Sequence, residues 1–198
     1  MDPEIESWRR RQRVGLLAAR RSISPDERRR ATETIVRKLD NLAVTHSSAV
    51  IGLYWPIQNE INLIFWAETL VKNRACCLCL PVVATPKSPL EYWRWMPGAE
   101  LVRGFWNIPV PARRDVVQPD LMLAPLVGFD RAQYRLGYGG GYFDRTLASL
   151  PQRPAVIGIG YELGRLDTIF PQSHDIPMDA ILTERDHPPP DRRTYETR

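Results

Sequence analysis

Residues 135–150 read RLGYGGGYFDRTLASL, with four glycines in five positions: Gly137, Gly139, Gly140 and Gly141. Arg135 and Arg145 flank the run, and an apolar helical pattern of Tyr142, Leu147 and Leu150 follows at once. Glycine reaches positive φ without steric cost and lets a ligand approach the backbone. A glycine-rich turn that opens a helix directs several backbone N–H groups outward, where a phosphate can collect them. Asp144, in the first turn of that helix, is the residue type that holds magnesium beside a phosphate. Two familiar loops are excluded. No G-K-[ST] ending is present, and Tyr142 stands where the third glycine of G-x-G-x-x-G would be. Spacing alone leaves open a second reading, a glycine-rich surface turn followed by a helix, with Asp144 serving only the helix dipole.

The rest of the chain describes a soluble α/β protein. At 198 residues with 43% hydrophobic and 25% charged content, it can bury a real core. No apolar run approaches the ~20 residues of a membrane span, and the charged N-terminus has no signal-peptide core, so the expected location is cytoplasmic. Net charge is +4, and its excess lies entirely in residues 1–40, with 11 basic against 7 acidic side chains. A basic front end suits a nucleic acid or an anionic small substrate equally well. Cys76, Cys77 and Cys79 sit in one apolar run, ACCLCLPVV, and read as small buried hydrophobes of a strand rather than a disulfide or zinc framework.

Taken in order, residues 3–20 form a first helix in which Arg9 and Arg13, one turn apart, share a face. They could reach one anion or simply form a solvated basic face. Ser24-Pro25-Asp26-Glu27 is a capping box opening a second helix that should run to about Ala43. Residues 48–55, SAVIGLYW, form a buried strand ending at Pro56. Glu60 follows just beyond its carboxyl end, where open α/β sheets place ligands; alternatively it begins the next helix, Ile61–Asn73, and serves its dipole. Further strands are expected at 75–83, 91–96, 120–127 and 155–161, the second with Tyr92, Arg94 and Met96 on one face and Trp93 and Trp95 on the other. Trp106, in the Pro-bracketed run WNIPVP, belongs on a loop, where it can stack on a flat heterocycle or anchor the loop. Residues 186–198 are Pro-rich and charged and read as a disordered tail, leaving 1–185 as one domain.

The ordered run LVGFD…YRLGYGGGYFDR, with its fixed spacing of FD, RLG, glycines and DR, resembles the signature of the 5-formyltetrahydrofolate cyclo-ligase (methenyltetrahydrofolate synthetase) family. The resemblance extends from about residue 9 to about residue 184, closely from Leu121 onward. It implies a three-layer α/β/α sandwich with a largely parallel sheet, similar to the sugar-phosphate isomerase and CoA transferase-like fold. It also implies ATP-dependent closure of 5-formyltetrahydrofolate to 5,10-methenyltetrahydrofolate, with magnesium as cofactor; a monomer is expected, though no residue pattern fixes the oligomeric state. On that match Arg135 and Asp144 are catalytic. ATP is held by Arg9, Arg13, Arg135 and the loop Gly137, Tyr138, Gly139, Gly140, Gly141, Tyr142 and Phe143. The folate lies against Trp55, Glu60, Trp106, Tyr138 and Tyr142, and the metal is held by Asp144 and Asp179. Two departures are visible: Arg9 replaces the usual lysine, and Phe143 a second tyrosine. Two alternatives remain, a paralogue of this fold acting on another substrate, and a basic nucleic-acid-binding protein. The latter is disfavoured because arginines and aromatics fall in separate segments.

Overall fold

The computed structural model describes residues 2–42, 45, 47–73 and 76–186. The expected tail beyond Asp186, and the residues Ala43 and Ala75 assigned above to element ends, lie outside the described residues. Helix α1 spans Pro3–Arg21, capped by the Asp2 side chain. Helix α2 spans Pro25–Asp40, with both arms of the Ser24/Glu27 capping box formed. Strand β1 (Val50–Gly52), helix α3 (Ile64–Asn73), strand β2 (Cys77–Val82) and strand β3 (Glu91–Trp95) follow. A hairpin of β4 (Leu101–Arg103) and β5 (Pro109–Pro111) precedes β6 (Leu121–Pro125). A short ribbon, β7 (Gly128–Phe129) with β8 (Arg135–Leu136), leads into helix α4 (Tyr142–Ser149), and β9 (Ala155–Ile159) and β10 (Ala180–Leu182) complete the chain.

The main sheet has the order β10-β9-β6-β1-β2-β3. All its neighbours pair in parallel except β2 with β3. Period-two alternation divides each central strand between two cores. Leu121 and Leu123 of β6, Leu78 and Leu80 of β2, and Ile157 and Ile159 of β9 join Ala31, Ile35 and Leu39 of α2 and Trp66, Ala67 and Leu70 of α3. Met122 and Ala124, Cys79 and Val156 face the other way, onto Leu147 of α4. Helices thus cover both faces, which explains why these strands read as unbroken apolar runs. Of the three cysteines expected to be buried, Cys79 is a core residue, whereas Cys76 and Cys77 are only half-buried at the strand's start.

The expected alternation of β3 is present with a different consequence. Tyr92 enters the α4-side core and Trp95 the α2/α3-side core, so neither face is given over to solvent. Edge position explains the exposed Arg94 and Met96. The strand order also places the site. From β1 the chain runs outward to β2 and β3, then returns to β6 on the other side of β1 and continues outward. Connections therefore diverge between the carboxyl ends of β1 and β6 and leave a crevice there, the position at which doubly wound sheets bind ligands.

Candidate active site

A cavity of about 750 Å³ opens at that crevice, lined by Tyr54 and Trp55 beyond β1, Pro81 and Val83 at the end of β2, and Pro125 at the end of β6. Its walls carry all the ATP and folate residues expected above: Arg9, Arg13, Trp55, Glu60, Trp106, Arg135 and the whole loop from Gly137 to Phe143, with Asp144.

The glycine loop is shaped by backbone demands. Gly139 (φ 96°) and Gly141 (φ 63°) both occupy the left-handed region, and Gly141 caps α4 with no side-chain hydrogen bond. The helix therefore starts with first-turn amides available to an anion. Around them stand three arginines. Arg135, delivered by β8, pairs with Asp144 at 2.8 Å and lies over the Phe143 ring, 4.9 Å from its centroid. Its Nε is buried without a hydrogen-bond partner. Arg13 donates from Nε to the Gly137 carbonyl at 2.7 Å. Burial first, and then the neighbouring Arg9, lower its pKa. Arg9 is buried and donates to the Ile169 and Phe170 carbonyls and to Asp175. The solvated-face reading thus fails for Arg9; the exposed arginines of this segment are Arg10 and Arg11.

The carboxylates need one correction. Asp179 does not line the cavity and is not brought to Asp144. Its side chain accepts from the Val156 amide and pairs with Arg153, both at 2.7 Å. Parallel strands explain this: Asp179 immediately precedes β10 and sits at the amino ends of β9 and β10, the sheet edge opposite the cavity. The carboxylate in the cavity is Asp175, four residues earlier in the same motif. Burial would raise its pKa, but hydrogen bonds from Arg9 and the Gln172 amide hold it below the ordinary range. Asp144 completes the set, accepting also from the Ile176 amide at 3.3 Å. Among the described residues no group of three metal-ligating side chains occurs.

Aromatic side chains form the opposite wall. Trp106 sits in a tight turn between β4 and β5, with φ 53°, followed by Asn107 at φ 64°. A bulky residue in the left-handed region costs on the order of 1 kcal/mol or more. That strain displays an indole 63% exposed at the cavity mouth, edge-on to Tyr142 with centroids 5.4 Å apart. A loop anchor would be buried; this side chain is presented. Trp55 is half-buried and meets Trp95 edge-on.

Glu60 is not a helix-start residue, because α3 begins at Ile64 with the Asn62 side chain accepting from the Ile64 amide. It lies buried in the turn after β1, accepting from the Ile57 amide and from the Tyr138 hydroxyl, both at 2.9 Å. Burial raises its pKa to about 7, against the opposing pull of those two bonds and of Arg20. Between the ordinary value of 4.5 and about 7, the unfolded chain releases its proton before the folded one. Stability therefore falls as pH rises through this window, by on the order of 3 kcal/mol from this group. Glu60→Gln should remove that slope: denaturant titrations at pH 5 and pH 8 should differ less for the variant than for wild type. An equal difference would show that Glu60 titrates normally.

Arg20 escaped sequence reasoning, although a signal existed. Positions 9, 13 and 20 fall on one helical stripe, and the structure turns all three inward while Arg10, Arg11 and Arg21 face solvent.

This geometry meets matching relatives. The profile of the 5-formyltetrahydrofolate cyclo-ligase family matches residues 5–184. The 5-formyltetrahydrofolate cyclo-ligase of Mycolicibacterium smegmatis is 29% identical over 181 residues, covering 87% of this chain and 92% of that protein. Among solved structures, the 5,10-methenyltetrahydrofolate synthetase of Aquifex aeolicus superposes with a TM-score of 0.77 at 28% identity, over 96% of this chain and 99% of that one. The corresponding synthetase of Mycoplasma pneumoniae shares the fold, with a TM-score of 0.74 at 24% identity, over 93% of this chain and 100% of that one. A match spanning nearly the whole chain, with the glycine loop, its arginines and the strand-end glutamate gathered round one cavity, makes this chain a member of the 5-formyltetrahydrofolate cyclo-ligase family.

Proposed function

We propose that the protein closes 5-formyltetrahydrofolate to 5,10-methenyltetrahydrofolate, coupled to conversion of ATP to ADP and phosphate. The observation that carries this reading is a division within one cavity: a glycine loop with Arg9, Arg13 and Arg135 on one side, and Trp55, Trp106, Tyr142 and Glu60 on the other. A triphosphate and a flat heterocycle can therefore meet end to end.

The chemistry needs that meeting. A formyl oxygen on nitrogen is a poor leaving group; transfer of the γ-phosphoryl converts it to a phosphate ester of an iminium. The N10 amine attacks the formyl carbon, the C–O bond breaks, phosphate leaves carrying the N10 proton, and the ring closes. Positioning and charge neutralisation supply most of the acceleration in such transfers. The loop amides and Arg135, whose Nε is unsatisfied, suit the phosphate oxygens. Arg13 steadies the loop through the Gly137 carbonyl. Trp106 and Tyr142 hold the folate rings, and Glu60 accepts from the substrate's N–H groups.

Asp144 and Asp175 would hold magnesium, since both carboxylates line the cavity and each is paired with an arginine that a phosphate can engage. Two carboxylates completed by phosphate oxygens and water make the hard-oxygen shell this ion prefers. Bound there, it would offset charge on the β- and γ-phosphate oxygens. Three free cysteines and dependence on ATP suit the cytoplasm, and no helix among the described residues is long and apolar enough to cross a membrane. The inward turn of Arg9, Arg13 and Arg20 leaves less cationic surface for nucleic acid than their number suggests.

Incubation with 5-formyltetrahydrofolate and MgATP tests the assignment. The longer-wavelength absorbance of the methenyl cation should grow in step with phosphate release. ATP turnover without that absorbance would transfer the site to another substrate.

A further inference from the structure

Arg20 is 2% exposed, the largest of the fully buried side chains. Burying a guanidinium is costly unless a counter-charge compensates it. No carboxylate touches it among the described residues. One terminal nitrogen donates to the Leu126 carbonyl and the other to the Tyr138 hydroxyl at 3.2 Å, while Nε has no partner. Tyr138 in turn donates to Glu60 at 2.9 Å. The hydrogen-bonded path from this buried cation to a carboxylate runs through one phenol.

This chain of contacts joins three walls of the cavity: α1 through Arg20, the glycine loop through Tyr138, and the turn after β1 through Glu60. Both carboxylate oxygens of Glu60 are held, one by Tyr138 and one by the Ile57 amide. Donation from a guanidinium to the phenol oxygen polarises the O–H toward the carboxylate and strengthens that bond. We propose that Arg20 is a positioning residue for this site, which acts through the Tyr138 hydroxyl to keep the Glu60 carboxylate ionised and aimed at the folate. Its catalytic consequence rests on the function proposed above; its effect on Glu60 does not.

The other titratable groups facing Glu60 do not compete for the role. Tyr54 and Tyr161 pack near it, but their hydroxyls donate to the Ile61 and Asn59 carbonyls. Burial raises both, Tyr161 to about 12 and Tyr54 well above its ordinary value, so both stay neutral across the working range. Arg20 is the cation whose charge, opposing burial, pulls the Glu60 equilibrium toward the ionised form.

The test follows the side-chain carboxyl carbon of Glu60 by NMR across a pH titration, with the resonance identified by its loss in Glu60→Gln. Arg20→Gln keeps hydrogen-bond donors but removes the charge, and Tyr138→Phe removes only the relay hydroxyl. Both should raise the Glu60 midpoint by about one pH unit. At a pH about one unit below the wild-type midpoint, kcat/KM of Arg20→Gln for 5-formyltetrahydrofolate should fall about tenfold while its KM for ATP stays within twofold. A variant with a lower Tm and an unmoved midpoint would make Arg20 a support for Leu126 alone and overturn the proposal. If Arg20→Gln does not fold, Tyr138→Phe decides, because the relay requires its hydroxyl. The NMR titration needs no substrate, so failure of wild type to close the folate would count against the function and leave the role of Arg20 to be judged separately.

Discussion

Asp144→Asn should reduce magnesium-dependent turnover by on the order of a hundredfold to a thousandfold and lower stability as well. Two separate features of Asp144 give the two effects. Its carboxylate pairs with Arg135 at 2.8 Å, with side chains 14% and 6% exposed. Removing one partner of a buried pair leaves an uncompensated charge, a loss on the order of 3 kcal/mol. Asparagine keeps an acceptor for the Ile176 amide but cannot offset a cation, and magnesium selects carboxylate oxygen. Melting temperature and turnover, each titrated with magnesium, separate the roles. A destabilised protein with wild-type turnover at ordinary magnesium would make Asp144 only the counter-ion of Arg135.

Trp106→Ala should raise the KM for 5-formyltetrahydrofolate tenfold to a hundredfold and leave the KM for ATP nearly unchanged. Losing an aromatic stacking partner costs ~1–3 kcal/mol, or roughly one to two powers of ten in affinity. Stability should hardly change, because the indole is 63% exposed and alanine keeps the Cβ that makes a φ of 53° costly. Initial-rate kinetics with each substrate varied in turn provide the check. A change confined to ATP would move Trp106 away from the folate side of the cavity.

The contrast between Asp179 and Asp175 shows where reading along the chain stops. Both stand in one short motif, HDIPMD, and both are plausible oxygen donors for magnesium. Their separation is decided by strand direction, because Asp179 caps the amino ends of β9 and β10 while Asp175, earlier in the connection from β9 to β10, reaches Arg9. Glu60 was legible as a strand-end carboxylate, yet its dipole alternative could be dismissed only once α3 was seen to start at Ile64. Arg20 was visible as the third member of an i, i+4, i+11 stripe. Its significance depended on Tyr138, 118 positions away in sequence.

By itself the sequence determined the local structure: the capping box at Ser24, the apolar strands, the positive-φ glycines and the Pro-bracketed tryptophan. Each rests on short-range sterics, hydrogen bonding or periodicity that a window of a few residues contains. Only the tertiary structure decided which charges meet. Pairings such as Arg9 with Asp175 and the relay from Arg20 to Glu60 span more than a hundred positions or join separate walls. The order and direction of the strands bring them together, and the pKa of Glu60 follows from the burial that this packing imposes.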